Sequence, residues 1–279
     1  MSFEYRGHMP LDYQPVAYPG SVLRFRGPAS DLTRPFVLCL GATETFGRFV
    51  HDPYPAQLMR RLEAPVVNMG VMGAGLDVIL GDRAIRAGMH KARAIVLQIT
   101  GAQNMSNRFY TVHPRRNDRF LKASTMLQTV YPEVDFTEFH FTGHLLTHLR
   151  ACSRDRFAIL QHELRTAWRA RMLRFLASAP APVHLLWLSR RPPEEVTPGG
   201  RVAAGEPMFI TAPLLEEVAA QAASLTVAVS SRAKRTHALR GMFYGPGEEA
   251  AARALPGPEA HRCAAEGLAA LMQPCQASG

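Results

Sequence analysis

The chain has 279 residues, of which 47% are hydrophobic, so it is long enough to bury a complete core. No run reaches the roughly 18–20 uninterrupted apolar residues that a membrane helix needs, and the opening residues, MSFEYRGHMP, lack the apolar region of a signal peptide. The formal net charge is +9, carried mainly by arginine, and the four cysteines form no CxxC pair. We therefore expect a cytoplasmic protein with no membrane span, no zinc ribbon and an attraction for anionic partners.

Short apolar runs alternate with helical periodicity along the chain. Residues 1–33 are rich in aromatic residues, proline and glycine and predict an extended N-terminal arm. Continuous β-branched apolar runs predict strands that are buried on both faces, at 36–40, 66–68, 94–99, 183–188 and 225–229. Apolar residues at helical spacing predict helices at 55–62, 76–90, 156–177, 213–223 and 259–272. Two long segments interrupt this alternation, an insertion at 105–150 and a loop at 189–210.

The alternation predicts a single α/β domain over residues 34–279, built as a three-layer α/β/α sandwich. Right-handed crossovers between successive strands favour a five-strand parallel sheet in the order 2-1-3-4-5, as in flavodoxin-like folds. We expect the insertion at 105–150 to be a mostly helical cap over the strand ends. Ligands of such sheets bind beyond the carboxyl ends of the strands, so the loops that follow the strands are candidate site segments.

Polar residues and glycines follow four of the predicted strands. GATETFG at 41–47 places the hydroxyl of Thr43 past the first strand, and NMGVMGAG at 68–75 places Gly73 past the second. GAQN at 101–104 places the amides of Gln103 and Asn104 past the third, and GPEAH at 257–261 places His261 beyond the fifth. Because parallel strands end at one sheet edge, we expect these loops to converge. A purely structural interpretation also stays open, in which the threonine and the histidine only serve helix starts.

The order of these loops resembles the SGNH (GDSL-type) hydrolase superfamily. GAT at 41–43 stands where that superfamily has Gly-Asp-Ser, and PEAH at 258–261 stands where it has Asp-x-x-His. Residues 68–73 and 101–104 resemble its second and third blocks. The whole chain is also similar to an uncharacterised bacterial family of SGNH-like proteins, through phrases such as GAQNMSNRFY at 101–110, HPRRNDRF at 113–120 and YPEVDFTEFHF at 131–141.

This resemblance implies ester hydrolysis or acyl transfer. Thr43 would replace serine as the nucleophile, with His261 as its base. Glu259 would orient the histidine, because Pro258 stands where the superfamily has its aspartate. The oxyanion would be stabilised by a backbone N–H of the second block and by side-chain amides of the third, from Gly73, Asn104 and Gln103.

The insertion carries an arginine cluster in the motif HPRRNDRF. Three arginines within five residues suit a phosphate, a sulfate or a carboxylate, namely Arg115, Arg116 and Arg119. The segment follows the GAQN loop directly, so we expect all three arginines to face the same cleft. A solvated face on which they pair with Asp118, Asp135 and Glu138 is an equally open interpretation.

Other patterns predict neither a metal, nor a cofactor, nor a nucleic-acid partner. His140, His144 and His148 recur every four residues, but there is no HExxH motif, and we expect a polar stripe. The basic run SRAKRTHALR at 231–240 carries no nucleic-acid-binding signature. The first hypothesis is an SGNH-like enzyme, active or degenerate, for an ester of an anionic or glycan-linked small molecule. The second is a non-catalytic binding protein for an anionic ligand in the same cleft. The arginines alone suggest a third, a nucleotide- or sulfate-dependent transferase. The sequence does not predict the oligomeric state.

Overall fold

The computed structural model describes residues 10–196, 207–229 and 239–272, and its centre is a parallel sheet. The sheet consists of β1 (Phe36–Gly41), β2 (Val66–Gly70), β3 (Ala92–Gln98), β6 (Val183–Ser189) and β7 (Ser224–Val229). The strands lie in the order β2-β1-β3-β6-β7, and every neighbouring pair is parallel. The predicted strand order is therefore confirmed, and each strand lies within two residues of its predicted bounds.

Helices cover both faces of the sheet. They are α1 (Thr43–Phe46), α2 (Tyr54–Leu62), α3 (Leu76–Gly81), α4 (Arg83–Lys91), α5 (Thr125–Val130), α6 (Thr142–Cys152), α7 (Arg154–Ser178), α8 (Ala212–Ala219), α9 (Glu249–Ala254) and α10 (Pro258–Met272). Side chains of β1 alternate between two cores, as a strand dictates: Leu38 and Leu40 pack towards α3, α4 and α7, while Val37 and Cys39 pack towards α2 and α10. The fold is the predicted three-layer α/β/α sandwich. None of the described helices has the length and apolar character needed to cross a membrane.

The insertion at 105–150 contains helices, as expected, but also a β-hairpin that the sequence analysis missed. β4 (Tyr110–His113) and β5 (Arg116–Ala123) pair antiparallel, and a short 3-10 helix (Phe136–Glu138) follows α5. The description "mostly helical" is thus corrected. β5 reads RNDRFLKA, and its buried residues are Asn117, Phe120 and Ala123, so burial recurs at every third position and the alternation typical of a strand is missing.

Two predicted helices have different bounds in the structure. The helix predicted at 76–90 breaks at Asp82, whose backbone is extended and whose Oδ1 accepts the N–H of Ile85 at 3.0 Å, so that it caps α4. The helix predicted at 213–223 ends at Ala219. Most of the basic run at 231–240, and residues 197–206 of the predicted loop at 189–210, lie outside the described residues.

The N-terminal segment is hydrogen-bonded to the loop that follows α1. Residues 10–33 form no helix, and their only β-bridge joins Val16 to Phe25. The guanidinium group of Arg26 donates to three backbone carbonyls at 2.7–2.9 Å, those of Gly47, Val50 and His51. The hydroxyl of Tyr13 accepts the N–H of Phe49 at 2.9 Å. This segment therefore fixes one side of the sheet edge at which the strand loops end.

Candidate functional site

A cleft of about 620 Å³ opens at the carboxyl edge of the sheet. Its walls come from the loops after β1, β2 and β3, from β5 and from the start of α6, which is where parallel sheets place their ligands. Its lining includes Thr43, Glu44, Gly73, Thr100, Gln103, Asn104, Arg116, Asp118 and Phe141. The structure thus brings five of the sequence-predicted residues to one cleft, Thr43, Gly73, Gln103, Asn104 and Arg116.

Gln98, the last residue of β3, holds the turn that presents the cleft hydroxyl. Its Oε1 accepts the N–H of Ala42 at 3.0 Å, the N–H of Thr45 at 3.1 Å and the hydroxyl of Thr45 at 2.6 Å. Three donors on one oxygen set the orientation of the amide, so its Nε2 points to Glu44 and donates to Oε2 at 2.8 Å. Only glycine fits at position 41, because a Cβ there would lie 2.4 Å from Gln98 Oε1.

Thr43 and Gly73 are joined directly. The N–H of Gly73 donates to the Thr43 hydroxyl oxygen at 3.1 Å. Gly73 has a φ of +70°, which favours glycine, and its carbonyl accepts the N–H of Asp118 at 3.1 Å. A Cβ at this glycine would lie 2.5 Å from Asp118 Oδ1, so the carboxylate packs against the bare Cα. The absence of a side chain at position 73 therefore makes room for the Asp118 carboxylate in the cleft.

The loop after β3 is held by two buried side chains from other elements. Thr142, in the first turn of α6, donates its hydroxyl to Asn104 Oδ1 at 2.8 Å. Trp168, in α7, donates its indole N–H to the carbonyl of Thr100 at 2.9 Å. Within the described part of the chain, the Nδ2 group of Asn104 has no hydrogen-bond partner. It is a donor available to a ligand.

Three residues that line the cleft each have a buried polar atom with no hydrogen-bond partner among the described residues. The atoms are Thr100 Oγ1, Gln103 Oε1 and Asp118 Oδ1. Thr100 and Gln103 are only 5% and 7% exposed, so solvent cannot satisfy them freely. An unpaired buried polar group costs about 1–3 kcal/mol, which a ligand or an ordered water would recover. The cleft is therefore built with hydrogen-bonding capacity that the folded chain does not use.

Most charges around the cleft are already paired. Arg116 donates to Asp118 Oδ2 at 3.1 Å, and Arg48 donates to Glu248 at 2.8 Å. Glu44 is half-buried and accepts a hydrogen bond from the neutral amide of Gln98, and burial of its carboxyl group raises its pKa. The cleft therefore presents no uncompensated positive charge from these side chains.

His261 lies away from the cleft. Its Nδ1 accepts the N–H of Tyr54 at 3.1 Å, its ring stacks on the Tyr54 ring, and it is 1% exposed. Burial, aided by the positive charge of Arg26, lowers the pKa of His261 to about 3. In the part of the chain that the structure describes, no hydrogen bond joins it to Thr43. The expected nucleophile–base contact is not formed, because α10 packs on α2 and directs this histidine at the first N–H of α2. Glu259, in the first turn of α10, does not border the cleft either.

The three predicted arginines do not converge. Arg116 borders the cleft, but Arg115 borders a separate groove beside Asp77, and the guanidinium group of Arg119 lies 5.1 Å from the ring centre of Phe141. The expectation that all three face the cleft is corrected. The reason is the hairpin: the β4–β5 pairing has an irregular register between Arg116 and Phe120, and Arg115 lies in the turn before β5.

The histidine stripe is interrupted because His140 precedes α6. The rings of His144 and His148 pack at 4.9 Å and 5.1 Å from the ring of Phe139. No group of three or more His, Cys, Asp or Glu side chains in the described ranges could hold a metal ion.

Sequence reasoning missed Glu44, Gln98 and Thr100, and it named Asp118 only as a partner for the arginines. Two of them carried a signal: Gln98 and Thr100 are the polar positions in the otherwise apolar run AIVLQIT, and a polar residue in a buried strand needs a partner. Glu44 lies beside the threonine that was singled out, but nothing in its spacing marks it. Asp118 reaches the cleft through the unpredicted hairpin, so no pattern in the sequence could place it.

Comparison with known proteins gives a family. None of the curated proteins matches the sequence. Among solved structures, the lipase Lip_vut3 from a goat rumen metagenome is similar with a TM-score of 0.38 and 13% identity, over 85% of this chain and 97% of the lipase, and nothing about function follows from that likeness. The family model described as "Domain of unknown function (DUF6473)" matches residues 1–276. The chain therefore belongs to the DUF6473 family.

Proposed function

We propose that this protein binds a small, neutral, polyhydroxylated molecule in the cleft at the sheet edge. The observation that carries the proposal is the set of three unpartnered buried polar atoms, Thr100 Oγ1, Gln103 Oε1 and Asp118 Oδ1. Two of these atoms are acceptors, and the hydroxyl can donate or accept, so they call for a ligand rich in O–H groups. The Nδ2 group of Asn104, which has no hydrogen-bond partner among the described residues, supplies the complementary contact to a ligand oxygen.

The charges favour a neutral ligand over the anion that the arginine cluster suggests. The Arg116 and Arg48 guanidinium groups already have carboxylate partners at 3.1 Å and 2.8 Å. An anion would have to displace those carboxylates and would face Asp118 at short range, which costs Coulomb energy. A hydroxyl group can donate to the same carboxylate without any such penalty.

A pair of matched variants tests this proposal. Gln103→Leu removes a buried cleft amide, and Gln161→Leu removes a buried amide on α7 that is also unpartnered but does not border the cleft. Titration calorimetry would compare neutral hexoses and alditols with glucuronate and glucose 6-phosphate. We expect a neutral compound to bind, Gln103→Leu to weaken it by about tenfold or more, and Gln161→Leu to leave the affinity unchanged. Selective binding of the anions, or equal effects of the two variants, would contradict the proposal.

A second candidate is acyl hydrolysis or transfer by an SGNH-like enzyme. The observation that favours it is the contact between the Thr43 hydroxyl and the Gly73 N–H at 3.1 Å, with the Asn104 amide bordering the same cleft. The SGNH resemblance implies a nucleophile at the first of these positions and oxyanion donors at the other two. This candidate lacks a base in contact with the Thr43 hydroxyl. His261 would have to leave its buried position to act as that base, and Glu259 would then orient it.

Hydrolysis of p-nitrophenyl acetate separates the two candidates. The binding proposal predicts no turnover by the wild-type protein above that of Thr43→Ala. Turnover that disappears in both Thr43→Ala and His261→Ala would support the enzyme instead, because a nucleophile and its base act as a unit. Thr43→Ser is a useful third variant, since it keeps the hydroxyl and removes only a methyl group.

A further inference from the structure

The cleft has an apolar rim as well as a polar floor. Two of the exposed large apolar side chains in the described part of the protein border it, Met72 at 40% and Phe141 at 44% exposure. Met72 belongs to the loop after β2, and Phe141 immediately precedes α6. Exposed apolar side chains at a ligand cleft, unlike isolated ones elsewhere on the surface, are available for contact with a ligand.

Phe141 is held in a defined position relative to the polar floor. Its backbone forms a bridge with Arg119 of β5, and the guanidinium group of Arg119 lies 5.1 Å from the ring centre. The next residue, Thr142, donates its hydroxyl to Asn104 in the floor at 2.8 Å. Asp118, one residue before Arg119, carries the unpartnered Oδ1. The aromatic ring and the hydrogen-bonding atoms are therefore tied together by the same two elements.

We propose that the ligand of this cleft contains a pyranose ring, with its C–H face against Phe141 and Met72 and its hydroxyl groups on Asp118, Gln103 and Thr100. This inference rests on the proposed function and adds the shape of the ligand. A pyranose carries hydroxyl groups around its edge and patches of C–H on its faces, which matches a polar floor beside an aromatic rim. An acyclic polyol offers the hydroxyl groups but no rigid apolar face.

The cleft has room for such a ring. Its volume of about 620 Å³ lies within the range of roughly 300–1,000 Å³ that is usual for small-molecule sites. The space left beside a single sugar would admit a substituent on the ring. A monosaccharide derivative fits this cleft better than a long oligosaccharide, which needs an extended groove.

The test compares each pyranoside with the open-chain alditol of the same configuration. Methyl glucoside, methyl galactoside and methyl mannoside would be titrated beside sorbitol, galactitol and mannitol, by calorimetry or by ligand-observed NMR. We expect at least one pyranoside to bind about tenfold more tightly than its alditol. Phe141→Leu should remove most of that preference, whereas Phe141→Tyr should keep it.

Met72 and Met126 provide a matched pair of variants on the exposed surface. Met72→Gln should weaken the pyranoside, and Met126→Gln should not, since Met126 is 48% exposed but does not border the cleft. Thermal melting of each variant checks that it folds. If alditols and pyranosides bind equally and Phe141→Leu changes neither, the pyranose inference is wrong while the proposed function stands. If none of the six compounds binds, both are wrong.

Discussion

The buried His261 makes folding stability depend on pH in a way that can be measured. It is 1% exposed and accepts the N–H of Tyr54, so it folds as a neutral imidazole. Its pKa is lowered to about 3 in the folded protein, below the ordinary value of 6.5, by burial and then by Arg26. Below pH 6.5 the unfolded chain therefore binds a proton that the folded chain does not bind. The free energy of unfolding consequently falls as the pH falls.

The size of the effect follows from these two pKa values. Between about pH 6 and pH 3, each pH unit of acidification lowers the free energy of unfolding by about 1.4 kcal/mol. Between pH 7 and pH 4.5 the loss attributable to His261 is about 2.5 kcal/mol. His261→Asn removes the titrating ring and keeps a side-chain oxygen that can accept the Tyr54 N–H. The variant should therefore be less stable at pH 7, through its smaller side chain, but lose about 2.5 kcal/mol less on acidification.

Urea denaturation at pH 7 and at pH 4.5 measures this difference. Trp168 and Trp187 are both fully buried and report unfolding by fluorescence. His162→Asn, at an exposed position on α7, serves as the control for the replacement of a histidine by asparagine. Equal losses of stability in wild type and His261→Asn would refute the reasoning. A His261 ring that titrates near pH 6.5 by NMR would refute it as well.

Two further comparisons test the cleft by stability. Gly73→Ala should lower the free energy of unfolding by about 1–3 kcal/mol, because the position has positive φ and the new Cβ would meet Asp118. Gly81 has open space around it, so Gly81→Ala should not lower the melting temperature. Thr100→Val and Thr226→Val each remove a buried unpartnered hydroxyl and should leave stability unchanged or raise it by up to about 1 kcal/mol. Thr100→Val should weaken ligand binding and Thr226→Val should not. Weaker binding by both variants would contradict the proposed site.

The sheet could be predicted from the sequence because its strands are continuous apolar runs between breaking residues. Runs such as the one that forms β1 are short and buried on both faces, as expected for a strand inside a parallel sheet. The hairpin could not be predicted in this way. β5 buries only every third residue, and most of its other residues are charged, so its pattern resembles a solvated loop.

Part of the cleft could also be predicted, for a topological reason. Thr43, Gly73 and Asn104 follow three neighbouring parallel strands, so the fold brings them to one edge. The same argument does not extend to His261, which lies within a helix whose packing against α2 decides where the ring points. Asp118 arrives from the insertion, through a pairing register that the sequence does not reveal.

The most direct test of the proposed site is to observe the Gln103 side chain while a ligand binds. In protein labelled with 15N at glutamine, the side-chain amide signals of Gln103 and Gln161 can be assigned from the two leucine variants. On titration with a methyl pyranoside that binds, we predict that the Gln103 signals shift with the ligand concentration and that the Gln161 signals stay in place. Saturation with a bound pyranoside that leaves the Gln103 signals unmoved would contradict the account.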